Sequence, residues 1–374
     1  PPAGGRSYRN ASSNDPVALL VPTLCWEAQV CEERGVGALG QYRYSPCPLP
    51  DSLSLCLFSI GAEAKSPLLS HPPPSLSYPP PPCPELLCPA LFVPPLRRQL
   101  AHCCNASAKL VLTQENAPLG SRIVYDGQRA ERLLVQEDLL EILPKGSPFQ
   151  GPPYERCAVV GNGGILRNSS CGPEIDRTQF VIRLNLPSLG FVDDVGSKSS
   201  VVTLNPSILF SRYGFWGLTH HRRPFVEAVG AYGAPLLLIP GFSFAGHNEV
   251  ALQALYTLED FGSPARTLFM NPEYLAALDG HWRRHGFCAQ RLSSGFMLVS
   301  AALELCQHLT LYGFWPFPWA PDGQPLSHHY YDNQAPTSGI HTMPAEFTRY
   351  LAMHLQGVVR LHLGRCESGP SSRS

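Results

Sequence analysis

Short apolar runs, each closed by Gly, Asn or Pro, recur along the chain from about residue 97 onward. Ala158, Val159 and Val160 form one such run, long enough for a buried strand, and it stops at Gly161-Asn162-Gly163-Gly164. Phe180, Val181 and Ile182, then Arg183, form a second that ends at Asn185 and Pro187. The same pattern predicts strands over 200–204 (closed by Asn205-Pro206), 235–239, 267–270, 308–312 and 358–363. Helical spacing of apolar positions predicts helices over 222–232, 252–261, 273–286 and 345–356. Gly286 is placed to cap the third of these. In 131–143, Leu133, Leu134, Leu139, Leu140 and Leu143 fall at helical spacing, which predicts one more helix with those leucines buried. Strands alternating with helices imply an α/β fold, a mostly parallel sheet covered by helices on both faces. About 270 residues of such sequence can bury a substantial core.

The first 97 residues break this pattern. Proline clusters at 72–74 and 79–82 lie in a serine- and proline-rich stretch that favours extended, solvated chain. Three parts are therefore expected: a disordered stem-like or non-native segment over 1–97, a catalytic domain over 98–368, and a disordered tail over 369–374. A formal net charge of −1 with 15% charged residues gives no basic footprint for nucleic acid and no polybasic membrane patch. Thirteen cysteines, with sequons at Asn10, Asn105 and Asn168, place the chain in a secretory compartment. The odd cysteine count leaves at least one thiol free or paired with another chain. Neither 53–60 nor the proline-broken 86–96 reaches the roughly 20 apolar residues of a spanning helix. A chain that starts at Pro1 is not expected to be an intact translation product.

Three stretches carry candidate chemistry. A strand that ends in a glycine-rich turn can bring backbone N–H groups to a phosphate. The plainer reading is a tight turn between core strands, and the third glycine of a dinucleotide fingerprint is missing. Asn162 and Asn185, each at a strand end, offer amide donors and acceptors for a ribose, base or phosphate. In 291–317, Ser293 or Ser294 can cap an apolar helix whose positive end suits an anion; an ordinary N-cap is the alternative. Gly313-Phe314-Trp315-Pro316-Phe317 then offers either a sugar-stacking surface or a buried aromatic turn. The third stretch holds His328-His329-Tyr330-Tyr331-Asp332 and, beyond it, His341 and Glu346. Adjacent His328 and His329 would point apart in a strand, and Pro344 interrupts a regular face between His341 and Glu346, so the spacing disfavours a metal site.

Together these stretches resemble the animal sialyltransferase family. Residues 157–187 resemble its large sialylmotif, and Cys-Gly-Pro-Glu-Ile-Asp at 171–176 points to the α2,8-sialyltransferase branch. One departure is Leu184, where that branch usually carries Cys. Residues 291–317 resemble the small sialylmotif; His329-Tyr330-Tyr331-Asp332 and His341-x4-Glu346 match the two short ones. The resemblance covers roughly residues 103–366 and implies a Rossmann-like glycosyltransferase fold. It implies an inverting enzyme of the Golgi lumen, a type II membrane protein whose N-terminal anchor is missing from this sequence. The donor would be CMP-sialic acid. The acceptor would be the C8 hydroxyl of a terminal sialic acid on a glycolipid (ganglioside) or glycoprotein, with the mono- or oligo-sialylating members favoured over polymerases. By resemblance, Asn162, Asn185, Ser293, Ser294, Gly295 and Trp315 hold the CMP moiety. His329 and Tyr330 offset phosphate charge, His341 is the base, and Glu346 orients it or supports the fold. Disulfides Cys157–Cys306 and Cys171–Cys366 are implied, leaving Cys288 as a free, buried thiol; Asn105 and Asn168 are glycosylation candidates. No D-x-D occurs in the sequence, so no metal or other cofactor is expected. A homodimer stays open as a partner.

Two rivals stand against this reading. An NAD-dependent nucleotide-sugar epimerase would need the complete G-x-G-x-x-G and an acidic ribose partner. An inactive paralogue, a secreted or Golgi glycan-binding protein, would keep the aromatic surface without needing His341.

Overall fold

The computed structural model describes residues 94–214, 221–334 and 341–367. Most of the 1–97 segment, the Asn10 sequon and the 369–374 tail lie outside the described residues. Seven strands form one all-parallel sheet. They are β3 (Tyr154–Val160), β4 (Phe180–Arg183), β5 (Val201–Thr203), β6 (Leu236–Ile239), β7 (Arg266–Phe269), β8 (Cys306–Tyr312) and β9 (Arg360–His362). Their order is β7-β6-β5-β4-β3-β8-β9, so the chain starts in the middle, builds out to β7, then returns to lay β8 on the other side of β3. That reversal makes the β3/β8 boundary a topological switch point, where ligands of open α/β sheets bind at the carboxyl ends.

Side chains alternate across the sheet as a two-residue period demands. Cys157 and Val159 of β3, with Phe180 and Ile182 of β4, enter a core under helices Pro272–Arg284, Ser294–Leu305 and Met343–Leu355. Ala158, Val160 and Val181 face the opposite side, against Ile175, Val195 and Tyr330. Under β5–β7, Val202, Leu237 and Ile239 pack instead with Leu209, Val250 and Ala254 of helices Pro206–Tyr213 and Asn248–Asp260. Helix Pro94–Cys103 crosses the expected boundary at residue 97, and Arg97 shows why it belongs to the domain. Its guanidinium donates to the carbonyls of Leu303 and Gln307, the first of them in the last turn of helix Ser294–Leu305.

Two expectations are corrected. Residues 131–143 are not one helix: β2 (Arg132–Leu134) pairs antiparallel with β1 (Arg122–Val124), and only Glu137–Ile142 is helical. Leu139 and Leu143 are buried, but Leu134 lies exposed on the ribbon, opposite Arg122. Leucines at i and i+1 satisfy either period, and the partner strand decided between them. Cys288 is neither buried nor free; it is exposed and disulfide-bonded. The resemblance supplied only two bridges and left Cys288 outside both.

The structure joins Cys157 to Cys306 and Cys171 to Cys366, with Cα separations of 6.1 and 4.9 Å. Neighbouring Cys103 and Cys104 are also joined to each other. Loops of 149 and 195 residues imply about 5 kcal/mol of chain-entropy stabilisation for each long-range bridge, an upper value.

The glycine turn after β3 tolerates no side chain. A Cβ on Gly164 would sit 2.0 Å from the Ser327 carbonyl oxygen, and one on Gly163 would sit 2.6 Å from that of Gly313. Gly164→Ala should cost about 1–3 kcal/mol or more, since backbone rather than a flexible side chain must move. Gly151→Ala, with nothing within 4 Å of its Cβ, should be near neutral. Denaturant melts of both variants check the contrast.

Candidate active site

Four strand ends and one helix start meet at the carboxyl rim of the sheet. At the end of β3, Gly161 and Gly163 donate N–H to the carbonyls of Tyr312 and Gly313, while Gly164 donates to His328. Tyr330 N–H returns a bond to the Asn162 carbonyl at 2.9 Å. The turn is thus sandwiched between the end of β8 and the His-Tyr-Tyr-Asp segment. Its glycine N–H groups are consumed by protein, so the tight-turn reading describes the glycines and the phosphate-cradle reading does not.

The Asn162 amide donates to the Leu184 carbonyl at 3.0 Å, and its Oδ1 is buried with no hydrogen-bond partner in the protein. Asn185 follows β4 in the left-handed region (φ 63°), a conformation asparagine accepts more readily than most residues. Its Oδ1 accepts from Asn205 N at 3.3 Å. Asn205, at the end of β5, in turn exchanges hydrogen bonds with Ser294 Oγ. Sequence reasoning took Asn205 only as a strand end. It is the third asparagine in that position, and this repetition was the signal that would have found it.

Ser293 caps helix Ser294–Leu305, its Oγ accepting from Phe296 N at 3.1 Å. Ser293 N–H and Oγ–H both donate to Glu346, which is 1% exposed. Burial pushes the Glu346 carboxyl up to about 7, against the pull of the Ser293 bonds. Glu346 therefore supports the fold of the small motif, and the Ser293 hydroxyl is fully engaged. Gly295 lies in the first helical turn, where a Cβ would crowd Phe314 at 3.1 Å.

His341 is exposed, and its Nδ1 lies 3.0 Å from the Arg291 carbonyl oxygen, two residues before Ser293. A carbonyl only accepts, so Nδ1 carries the hydrogen, and in the neutral ring it is Nε2 that holds the free lone pair. Arg291 is itself fixed: its guanidinium pairs with Asp126 at 3.1 Å, donates to Ser243 Oγ at 3.1 Å and lies over the Phe244 ring. Asp126 and Ser243 lie in no motif, and Arg291, although it opens the small-motif stretch, was given no role in the sequence.

His329 binds Asp332 through Nδ1 at 2.7 Å and stacks on Tyr331. Burial alone would raise the Asp332 carboxyl, but the bonds from His329 and Gln334 N–H outweigh it and hold its pKa below the ordinary value. The structure does not bring two expected residues to the rim. Tyr330 is fully buried, its hydroxyl donating to the Ser188 carbonyl at 2.6 Å, and burial raises its pKa. Trp315 is 8% exposed, packed edge-on against Phe317 and Phe347, with its indole N–H on the Trp319 carbonyl. Both rings seat the turns that carry them. Among the described residues, Cys171, His362 and Cys366 have atoms close enough for a metal, but their two sulfurs are bonded to each other and offer no thiolate.

Against known proteins, the model of glycosyltransferase family 29 (sialyltransferase) matches residues 111–358. The chain belongs to glycosyltransferase family 29. This sialyltransferase is 42% identical over 273 residues to alpha-2,8-sialyltransferase 8F of Homo sapiens, covering 72% of this chain and 68% of the relative. It is also 42% identical over 279 residues to alpha-N-acetylneuraminide alpha-2,8-sialyltransferase of Xenopus laevis, covering 74% and 77%. A crystal structure of a mammalian sialyltransferase is similar at a TM-score of 0.46 and 20% identity, over 70% of this chain and 92% of that one. Among the described residues, no helix is long and apolar enough to cross a membrane.

The Glu346 carboxyl ties pH to stability. Its folded pKa of about 7 exceeds the ordinary 4.5, so the folded state holds the proton that the unfolded state releases. Stability should be highest below about pH 4.5 for this group and fall as pH rises towards 7, by at most about 1.4 kcal/mol per unit. Glu304, raised by burial to about 7, acts in the same direction. Urea midpoints measured from pH 5 to 8 should show the decline, and Glu346→Gln should flatten it.

Proposed function

We propose that this sialyltransferase moves sialic acid from CMP-sialic acid to the C8 hydroxyl of a terminal sialic acid on a glycolipid or glycoprotein glycan, with inversion. Two relatives at 42% identity bear α2,8-sialyltransferase names, which favours that linkage. The observation that carries the reading is the convergence of all four sialylmotifs on one rim, with His341 hung from the Arg291 carbonyl beside the Ser293-Ser294 helix start.

In this reading Asn162, with its unpartnered Oδ1, and Asn185 hold the cytidine nucleotide at the switch point. Ser294 and Gly295 present the helix N-terminus to its phosphate, where the helix dipole stabilises negative charge. His329, oriented by Asp332, faces the same leaving group. The new bond forms between the acceptor C8 oxygen and sialyl C2 as the C2–O bond to the CMP phosphate breaks. The electron pair leaves with the phosphate, and the hydroxyl proton passes to His341 Nε2. Charge on a single phosphate can be met by the helix and a histidine, so no metal is assigned a role. Membership of the family supports assigning the enzyme to the Golgi lumen as a type II membrane protein, with exposed Asn105 and Asn168 as its glycosylation sites.

Transfer from labelled CMP-sialic acid should appear on sialylated acceptors and not on their desialylated forms; no product on either would favour the glycan-binding paralogue. His341→Ala should lower kcat by about 10²–10⁴-fold with CMP affinity nearly unchanged. His329→Ala should weaken both donor binding and turnover. Full activity in His341→Ala would move the base elsewhere. EDTA should leave the rate unchanged; inhibition reversed by Mn²⁺ would overturn metal independence.

A further inference from the structure

The carboxyl rim has an order that the donor site does not use up. Asn162, Asn185 and Asn205 mark the ends of β3, β4 and β5. Next along the sheet comes the segment after β6, where Ser243 holds Arg291 and, through its carbonyl, His341. Beyond that, past the end of β7, lies an open cleft of ≈ 300 Å³ between ribbon strand β1 and the start of helix Pro272–Arg284. Asp126 belongs to both places, since it lines the cleft and pairs with Arg291. The cleft and the histidine are thus one arginine side chain apart.

Its lining is mixed. Arg122 and Arg129 bring guanidinium donors, Asp126 and Glu273 bring carboxylate acceptors, and Val124 and Ala276 bring apolar wall. Asp126 is 7% exposed at its side chain, and its Oδ1 has no partner in the protein. Donors and acceptors beside a short apolar face suit a carbohydrate, whose hydroxyls meet charged groups while its C–H face meets the wall. A nucleotide base would call for a stacking slot, and a lipid chain for an apolar one.

We propose that this cleft is the acceptor-glycan subsite, holding the sugars that follow the terminal sialic acid while that residue lies at His341. This rests on the sialyl-transfer reading above and adds to it a direction: donor at β3–β5, base beside the Ser293–Ser294 helix start, acceptor stem past β7. Arg122 and Arg129 meet glycan hydroxyls or a carboxylate, and Ala276 sets the depth.

The test compares a sialylated oligosaccharide with methyl α-sialoside, which has no sugars beyond the first. Ala276→Trp fills the cleft, and Arg122→Ala removes an exposed donor without touching the core. For both variants KM for the oligosaccharide should rise about tenfold, the loss of roughly one charge-assisted contact. Transfer to methyl α-sialoside, KM for CMP-sialic acid and the melting temperature should stay within about twofold or a few degrees of wild type. An unchanged oligosaccharide KM, or an equal loss on both acceptors, overturns the proposal. Saturation-transfer NMR with CMP and the oligosaccharide reads binding without turnover. Contacts to the inner sugars should be present in the wild type and lost in Ala276→Trp; their absence in the wild type also overturns the subsite. A wild type that binds these sugars but transfers to neither acceptor refutes the sialyl-transfer reading and leaves a glycan cleft standing.

Discussion

The site depends on a close approach of backbones that only glycine permits. Between β3 and the Ser327–Tyr330 turn, and between β3 and Gly313 after β8, carbonyl oxygens occupy the space where β-carbons would stand. Three chain segments far apart in sequence are thereby locked within hydrogen-bond range, with the N–H groups of the turn as the fasteners. Asn162 is held at the centre of this clamp. Its side chain has little freedom, because its own backbone carbonyl is tied to Tyr330 and its amide to Leu184.

A second layer of support keeps the helix start and the histidine in place. Buried Glu346 grips Ser293 twice, so the segment carrying His341 and the turn carrying Ser294 form one unit. Buried Tyr330 and Trp315 do for their turns what Glu346 does for the helix. Several motif side chains thus frame the turns and the helix start on which the others sit. A motif records what the site needs, and it does not separate the groups that touch a ligand from those that hold them.

Much of this was legible in the chain. Strands β3 to β9 were readable because each is a short apolar run closed by Gly, Asn or Pro, and their alternation with helices predicted the parallel sheet. The ribbon β1–β2 was not, since Leu133 and Leu134 fit a helix or a strand equally and the partner is distant in the pattern. Ser293 as a cap was readable from its place before an apolar run. Asp126 and Arg291 were not, because an ion pair that joins residues 165 positions apart leaves no local trace. Trp315 and Tyr330 look like ligand-facing aromatics in sequence, and only three-dimensional packing turns them inward.

The two long disulfides interleave: Cys157 and Cys171 emerge first, and their partners Cys306 and Cys366 follow 149 and 195 residues later. During synthesis the first two thiols are only 171 − 157 = 14 residues apart while neither native partner exists. Closing that short loop is less costly in entropy than closing either native loop, so a non-native bond between these two competes with the native pairing. A bond formed between them at that stage would have to be exchanged before either native bridge could close. Interleaved bridges of this kind therefore put thiol–disulfide exchange, and the redox balance of the folding compartment, on the route to the native pairing.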